Sequence, residues 1–421
     1  MNVKQKTLAA LLVLGIGISG CNTNDNNLPS QIVNKNTDEN KTVDQNNTDG
    51  NKTTIPQRYE SAVLVVDISD LAHPTKLGSV GIDGNTFYSI TLSNDGTKAY
   101  DADVDNGLVI VDITDPTHPT KLGSYDTVGH SLDVTLSSDG TKAYVADWEN
   151  GLVIIDISDP AHPTKLGSYN TTGQSVSITL SNDGTKAYVA DGDNGLVIVD
   201  ITDPTHPTKL GSYDTVGYSL DVTLSSDGTK AYVVDENGLV IVDISNPAHP
   251  IKLGSYDTAG YAGGIILSSD NTKAYVADYA NGLVIVDISD SAHPTKLGSY
   301  NTDGLALGIT LSSDGSKAYV ADDDKGLVIV DISDPYNPTK LSSYDTAGNV
   351  KAVILSSDGT KAYIADYRNG LVVVDISDLA HLTKLGSYNT AGFSWDITLS
   401  SDGTKAYIAD GKNGLVIIGG I

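Results

Sequence analysis

From residue 63 to 418 the chain repeats itself at a period close to 44 residues, and no other feature constrains its fold so strongly. The aspartate that closes each hydrophobic run recurs at Asp67, Asp112, Asp156, Asp200, Asp243, Asp287, Asp331 and Asp375, at intervals of 45, 44, 44, 43, 44, 44 and 44 residues. A ninth run, 415–418, is followed by Gly419 where the aspartate would fall. A unit this short cannot bury its apolar surface alone, so successive units must stack on one another.

Each unit holds four candidate strands rich in Val, Ile, Leu, Thr and Tyr. In the unit starting at Ser131 they are 132–136, 143–146, 152–157 and 165–169. The Asp-Gly pair in Ser138–Thr141 and the Asn150-Gly151 pair supply turn residues tolerant of positive φ. Pro160 and Pro163 forbid helix and central strand between the third and fourth segments. No segment shows a 3.6-residue period. Leu152-Val153-Ile154-Ile155 is apolar at consecutive positions, as a sheet covered on both faces requires. The expectation is an all-β propeller of four-stranded antiparallel blades.

LVIVD occurs verbatim at 108–112, 196–200, 239–243, 283–287 and 327–331. The repeated region resembles the LVIVD-repeat family of bacterial and archaeal surface proteins. That resemblance implies the repeat architecture and implies no common activity. The first, second and fourth strand types occur eight times and the third nine times. The expected ring therefore has eight blades, with seven blades or an open solenoid as alternatives. It would be closed by the N-terminal outer strand 76–80 joining the three C-terminal strands, leaving 63–67 surplus.

The domains expected are a leader over 1–20, a tether over 21–57 and the propeller over 58–421. Lys4 and Lys6 precede the apolar run 8–18, which is shorter than the span of about 20 residues a membrane needs. It leads into Ile18-Ser19-Gly20-Cys21, which resembles the lipobox of bacterial lipoproteins and implies diacylation of Cys21. Residues 22–57 are dominated by Asn, Asp, Thr and Lys, with too little to bury, so a disordered tether reaching roughly 35 Å is expected. The expected location is extracytoplasmic, anchored to the cell envelope at the outer membrane or cell surface. With 53 acidic against 26 basic residues and a net charge of -27, nucleic acid is excluded as a partner. Electrostatic docking on anionic lipid is disfavoured, so the lipid anchor is the membrane contact expected.

In a propeller, the loops joining strands two and three share a face with those leading into the next blade. The copies diverge there and keep SSDGTK and ISDPAHPTKL nearly constant on the other face. The diverging pair reads Trp148-Glu149, Gly192-Asp193, Tyr279-Ala280 or Tyr367-Arg368, and Glu236 stands alone in the shortened copy. After the inter-blade glycine come His130, Gln174, Tyr218, Tyr261, Leu305, Asn349 and Phe393. Trp148, Trp395, Phe87 and Phe393, all the tryptophans and phenylalanines of the chain, sit in or beside these segments. Aromatics on a solvated loop rim are common anchors of recognition, so a protein or glycan is the partner class expected. Trp148-Glu149 is expected at an exposed hairpin tip.

A second pattern lies on the innermost strands, where equivalent positions read Asp396, Ser89, Asp133, Ser177, Asp221, Gly264, Gly308 and Ala352. Such carboxylates need a donor or cation. They hydrogen-bond neighbouring backbone or channel water, or they form a polar funnel for a cation or polyol; an enzyme of hydrolase or lyase type using Asp133, Asp221 and Asp396 with a cation is one alternative function, and a purely structural surface protein is the other. Asp101, Asp103 and Asp105 resemble the opening of a calcium loop, although Asn106 stands where Gly is required. No other cofactor is indicated. Seven histidines (73, 118, 162, 206, 249, 293 and 381) occupy one repeated turn and lie too far apart to share a metal.

Overall fold

The computed structural model describes residues 60–83, 87–411 and 415–418. The chain divides into two units, 1–58 and 59–421, and every described residue belongs to the second. The leader, Cys21 and the tether expected from the sequence lie outside the described residues.

The described residues form thirty-three β-strands and no helix. In the unit used above they are β7 (Ser131–Leu136), β8 (Lys142–Asp147), β9 (Gly151–Asp156) and β10 (Thr164–Tyr169), within about two residues of expectation. They make an antiparallel sheet in the order β10-β9-β8-β7. The same four-stranded sheet occurs seven times. Its innermost strands are β3 (Phe87–Leu92), β7, β11 (Ser177–Leu180), β15 (Ser219–Leu224), β19 (Gly264–Leu267), β23 (Ala306–Leu311) and β27 (Val350–Leu355).

Eight four-stranded blades do not form; there are seven. The remaining sheet has five strands. These are β1 (Glu60–Asp67), β2 (Thr75–Asp83), β31 (Ser394–Leu399), β32 (Lys405–Asp410) and β33 (Leu415–Ile418), in the order β2-β33-β1-β32-β31. The strand counted as surplus is therefore central: β1 pairs antiparallel with β32, where the C-terminal β33 was expected. β33 pairs parallel with β1 and antiparallel with β2. Length outweighs sequence proximity. β1 and β2 form a hairpin paired over the whole eight-residue length of β1, and that hairpin takes the edge of β32 although β33, only four residues long, follows β32 directly in the chain.

Alternation along the central strands explains the unbroken apolar runs. Val145 of β8 is in register with Val134 and Val153, and this layer packs on Tyr100, Ala102, Leu108 and Ile110 of the preceding blade. Tyr144, Ala146, Leu152 and Ile154 face the other way, onto Ile178, Val189 and Val197 of the next. Outer strands interlock through a glycine–proline contact. A Cβ on Gly167 would lie 2.7 Å from Cδ of Pro207, in the turn of the following blade. The repeated LG and HP are thus two halves of one joint. The histidines before these prolines are solvent-facing turn residues; His162 Nδ1 lies 3.0 Å from Asp159 Oδ2 and is 81% exposed.

Candidate binding face

The loop face is organised by a buried carboxylate at the end of each second strand. Asp147 is fully buried and holds the hairpin that follows it: Asn150 N donates to its carbonyl at 2.9 Å, and Asn150 Nδ2 donates to its Oδ1 at 3.2 Å. Asn150 Nδ2 also donates to the carbonyl of Thr127, in the loop that enters the blade, at 3.0 Å. Gly129 of that loop lies directly against the Asp147 carboxylate, which leaves no room for a Cβ. The two variable segments are therefore fastened together. Trp148 N donates to the carbonyl of His130 at 2.9 Å, His130 N donates to Glu149 Oε2 at 2.9 Å, and His130 Nδ1 lies 2.5 Å from Glu149 Oε1.

The pair Trp148-Glu149 splits. Glu149 is 47% exposed, but Trp148 is only 6% exposed, contrary to the expected exposed tip. Its indole turns inward and meets Tyr218 from two blades away, with ring centroids 6.0 Å apart. The blade between them contributes Gly192, whose Cβ would sit 2.8 Å from the Tyr218 ring. A missing side chain is what lets the phenol reach across. Tyr218 is fully buried and its hydroxyl has no hydrogen-bond partner among the described residues. Burial, then Asp193, pushes that hydroxyl's pKa upward. Tyr261 and Tyr279 pair at 6.1 Å, and the Tyr261 hydroxyl is likewise buried without a partner.

A second cluster spans four consecutive sheets. Tyr367 stacks on Phe393 at 4.5 Å with planes 9° apart, and meets Trp395 edge-on at 4.9 Å. Trp395 also contacts Tyr88 at 5.2 Å. Lys351 Nζ lies 5.3 Å from the Tyr367 centroid and 5.5 Å from that of Trp395, and pairs with Asp323 Oδ1 at 2.9 Å. Sequence reasoning passed over Lys351 and Tyr88. The signal was present: with Trp395 they occupy one repeat position that elsewhere holds Leu132, Val176, Leu220, Gly263 and Leu307. The side chain of Phe87 lies outside the described residues.

The axial positions act as clasps between blades. Asp133 Oδ1 accepts from Ser89 Oγ of the preceding blade at 3.1 Å and from Val134 N at 2.9 Å, and Oδ2 accepts from Ile178 N of the next blade at 3.1 Å. Asp221 does the same with Ser177 Oγ (3.1 Å), Val222 N (2.8 Å) and Ile265 N (3.3 Å). Asp396 accepts from Ile397 N at 2.8 Å and Ile90 N at 3.3 Å, and has Ala352 rather than a serine before it. Burial raises all three carboxyl pKa values, that of Asp396 to about 6. This is the backbone-bonding alternative.

The calcium-loop resemblance fails. Asp101 is fully buried inside β4 (Lys98–Asp103), in register with Ile90 and Val109, and neither carboxyl oxygen has a partner. Asp103 Oδ1 is occupied by the amides of Asp105 and Asn106, both at 2.8 Å, and Asp105 is exposed. Asp101 thus lies in the sheet interface, Asp103 on its own hairpin amides and Asp105 in solvent, so the three surround no common centre. Among the described residues no group of three or more His, Cys, Asp or Glu is placed to hold a metal ion.

The LVIVD repeat model matches residues 61–81, 92–127, 129–171, 173–215, 216–258, 259–302, 308–346, 347–390 and 391–419. None of the curated proteins matches the sequence. Among solved structures, Sqt1 of Saccharomyces cerevisiae is similar at a TM-score of 0.64 and 11% identity, over 80% of this chain and 96% of that one. Dihydro-heme d1 dehydrogenase NirN is similar at 0.59 and 16%, over 79% and 75% of the two chains. The periplasmic gluconolactonase PpgL of Pseudomonas aeruginosa is similar at 0.54 and 13%, over 86% and 100%. At these identities the likeness is one of fold, shared by enzymes and interaction proteins alike.

Proposed function

We propose, from the premise that the chain belongs to the LVIVD-repeat family, that it is a non-catalytic binding propeller working through its loop face. The observation that carries this is the assembly of part-exposed aromatic side chains from consecutive sheets into the cluster Tyr88–Trp395–Tyr367–Phe393, while the buried Trp148–Tyr218 pair packs beneath the same face. Rings that serve only to cap a blade would repeat from blade to blade; these occur where the copies depart from the repeat. The axial carboxylates, each engaged by backbone amides, suit a structural role better than acid–base chemistry. The protein is held at the cell envelope through lipidated Cys21 and the tether after it, outside the cytoplasm.

The chain's two tryptophans lie one in each cluster, so Trp395 fluorescence reports on this surface and Trp148 fluorescence on the packing beneath it. Titration with envelope polysaccharide and envelope protein fractions should shift the emission. Binding that leaves both tryptophans unmoved would place the ligand elsewhere. Cys21→Ser should release the chain from the membrane fraction of its host, and retention there would refute the anchor.

A further inference from the structure

Among the described residues, off-repeat lysine and arginine are confined to one quadrant, the consecutive blades that begin with β23 and β27. From residue 76 onward every lysine belongs to a Lys-Leu or Lys-Ala-Tyr of the repeat except Lys325, Lys351 and Lys412, and the single arginine in that stretch is Arg368. All four fall in the later units; Lys412 lies outside the described residues. The corresponding hairpin tips of earlier units carry Asp105, Glu149, Asp193 and Glu236, whereas Asp323 and Asp324 of the Lys325 unit are each paired with a lysine. A chain of net charge -27 has thus placed Lys351 and Arg368 against the Tyr367 ring.

Around Tyr367, the side chains of Arg368, Lys351 and Trp395 each carry hydrogen-bond donors. Arg368 is exposed, with its guanidinium carbon 6.0 Å from the Tyr367 centroid and 5.9 Å from that of Phe393. No carboxylate pairs with it among the described residues. Stacking pre-orients its planar fork, which suits a carboxylate. Lys351 has three N–H donors and gives one to Asp323. Trp395 Nε1 is a buried donor with no acceptor among the described residues. A buried donor left unmatched calls for an acceptor, and the stacked Tyr367–Phe393 pair offers an apolar platform beside it.

We infer that this quadrant binds a compact carboxylate-bearing sugar of the hexuronate class. Its carboxylate is held by Arg368 and Lys351, and its ring lies along Tyr367 and Phe393. Compactness follows from the acidic tips on the other blades, which repel an anion long enough to reach them, such as an acidic polypeptide. The inference rests on the reading of the loop face as a binding surface.

The test is saturation-transfer NMR on the unmodified protein with glucuronate and galacturonate, against glucose, galactose and an acidic peptide, with tryptophan emission followed in parallel. The uronates should bind, move tryptophan emission and weaken as salt rises. Arg368→Ala should weaken them about tenfold or more, with Arg368→Lys between the two. Because Arg368 is exposed, both variants should keep the parent melting temperature. Absence of uronate binding up to about 10 mM overturns the inference, as does binding indifferent to Arg368→Ala. Neutral sugars or the acidic peptide moving tryptophan emission in place of the uronates would overturn it while leaving the loop face as the binding surface. Uronate binding that leaves both tryptophans and Arg368 uninvolved would overturn both.

Discussion

Replacing Asp101 by Val gives this blade the residue its repeat position holds in the other units: Val145, Val189, Val233, Val276, Val320, Ile364 and Ile408, all fully buried. Asp101 is equally buried, lies between Ile90 and Val109 in the ladder, and has no partner for either oxygen. Leaving a polar group unpaired in such a place costs about 1–3 kcal/mol, and a fully buried Val adds about 1.5–3 kcal/mol of transfer free energy. Asp101→Val should therefore stabilise the propeller by about 3–5 kcal/mol at neutral pH, well outside the usual effect of a single substitution. The pH dependence supplies a second reading. Burial first, then Asp103 and Asp396, hold the Asp101 pKa well above its ordinary 3.8. A folded-state pKa raised in this way gives stability that is fully present below about pH 3.9 and is lost as pH rises through the folded value. The gap between parent and variant should thus be smallest in acid and widen with rising pH. Urea unfolding at pH 4 and pH 7.5 measures both quantities, provided the slope m is unchanged. A variant no more stable than the parent, or a gap independent of pH, would refute the placement of this carboxyl in the sheet interface.

The Asp396 clasp follows the same sign: with its carboxyl pKa raised to about 6, its stabilising contribution declines between about pH 4 and pH 6. Asp396→Asn keeps an acceptor for Ile90 N without the charge, so it should flatten that part of the melting-temperature profile and leave an unchanged profile only if the clasp is absent. Two glycines with different reasons for being glycine give a contrast. Gly129→Ala drives a methyl into the Asp147 carboxylate and should cost about 2–3 kcal/mol, whereas Gly140→Ala meets open space and pays only for φ +67, about 1 kcal/mol. Thermal or urea unfolding decides it, and equal losses would contradict the packing of the inter-blade loop on the buried aspartate.

What the sequence determined by itself is whatever depends on local periodicity and on repetition. Strand type, turn chemistry and double burial follow from apolar runs of fixed length between Asp-Gly, Asn-Gly and Pro signals, because each acts over a few residues. The partition of the loops into a constant and a changing face was equally legible, since copies of one unit can be compared within one chain. The tertiary structure decided what depends on non-local competition or on the direction of a side chain. Counting strands could not show that β1, paired with its sequence neighbour β2, takes the place expected for β33. Nor could the tip position of Trp148 reveal that Gly192, in a different blade, opens the space into which its ring pair with Tyr218 fits. Alternate spacing made Asp101, Asp103 and Asp105 look like ligands, but the strand ends at Asp103, which leaves Asp101 in the core, Asp103 on its own hairpin amides and Asp105 in the solvated turn. Spacing along a chain fixes which residues can be near one another; only packing fixes which way each one points.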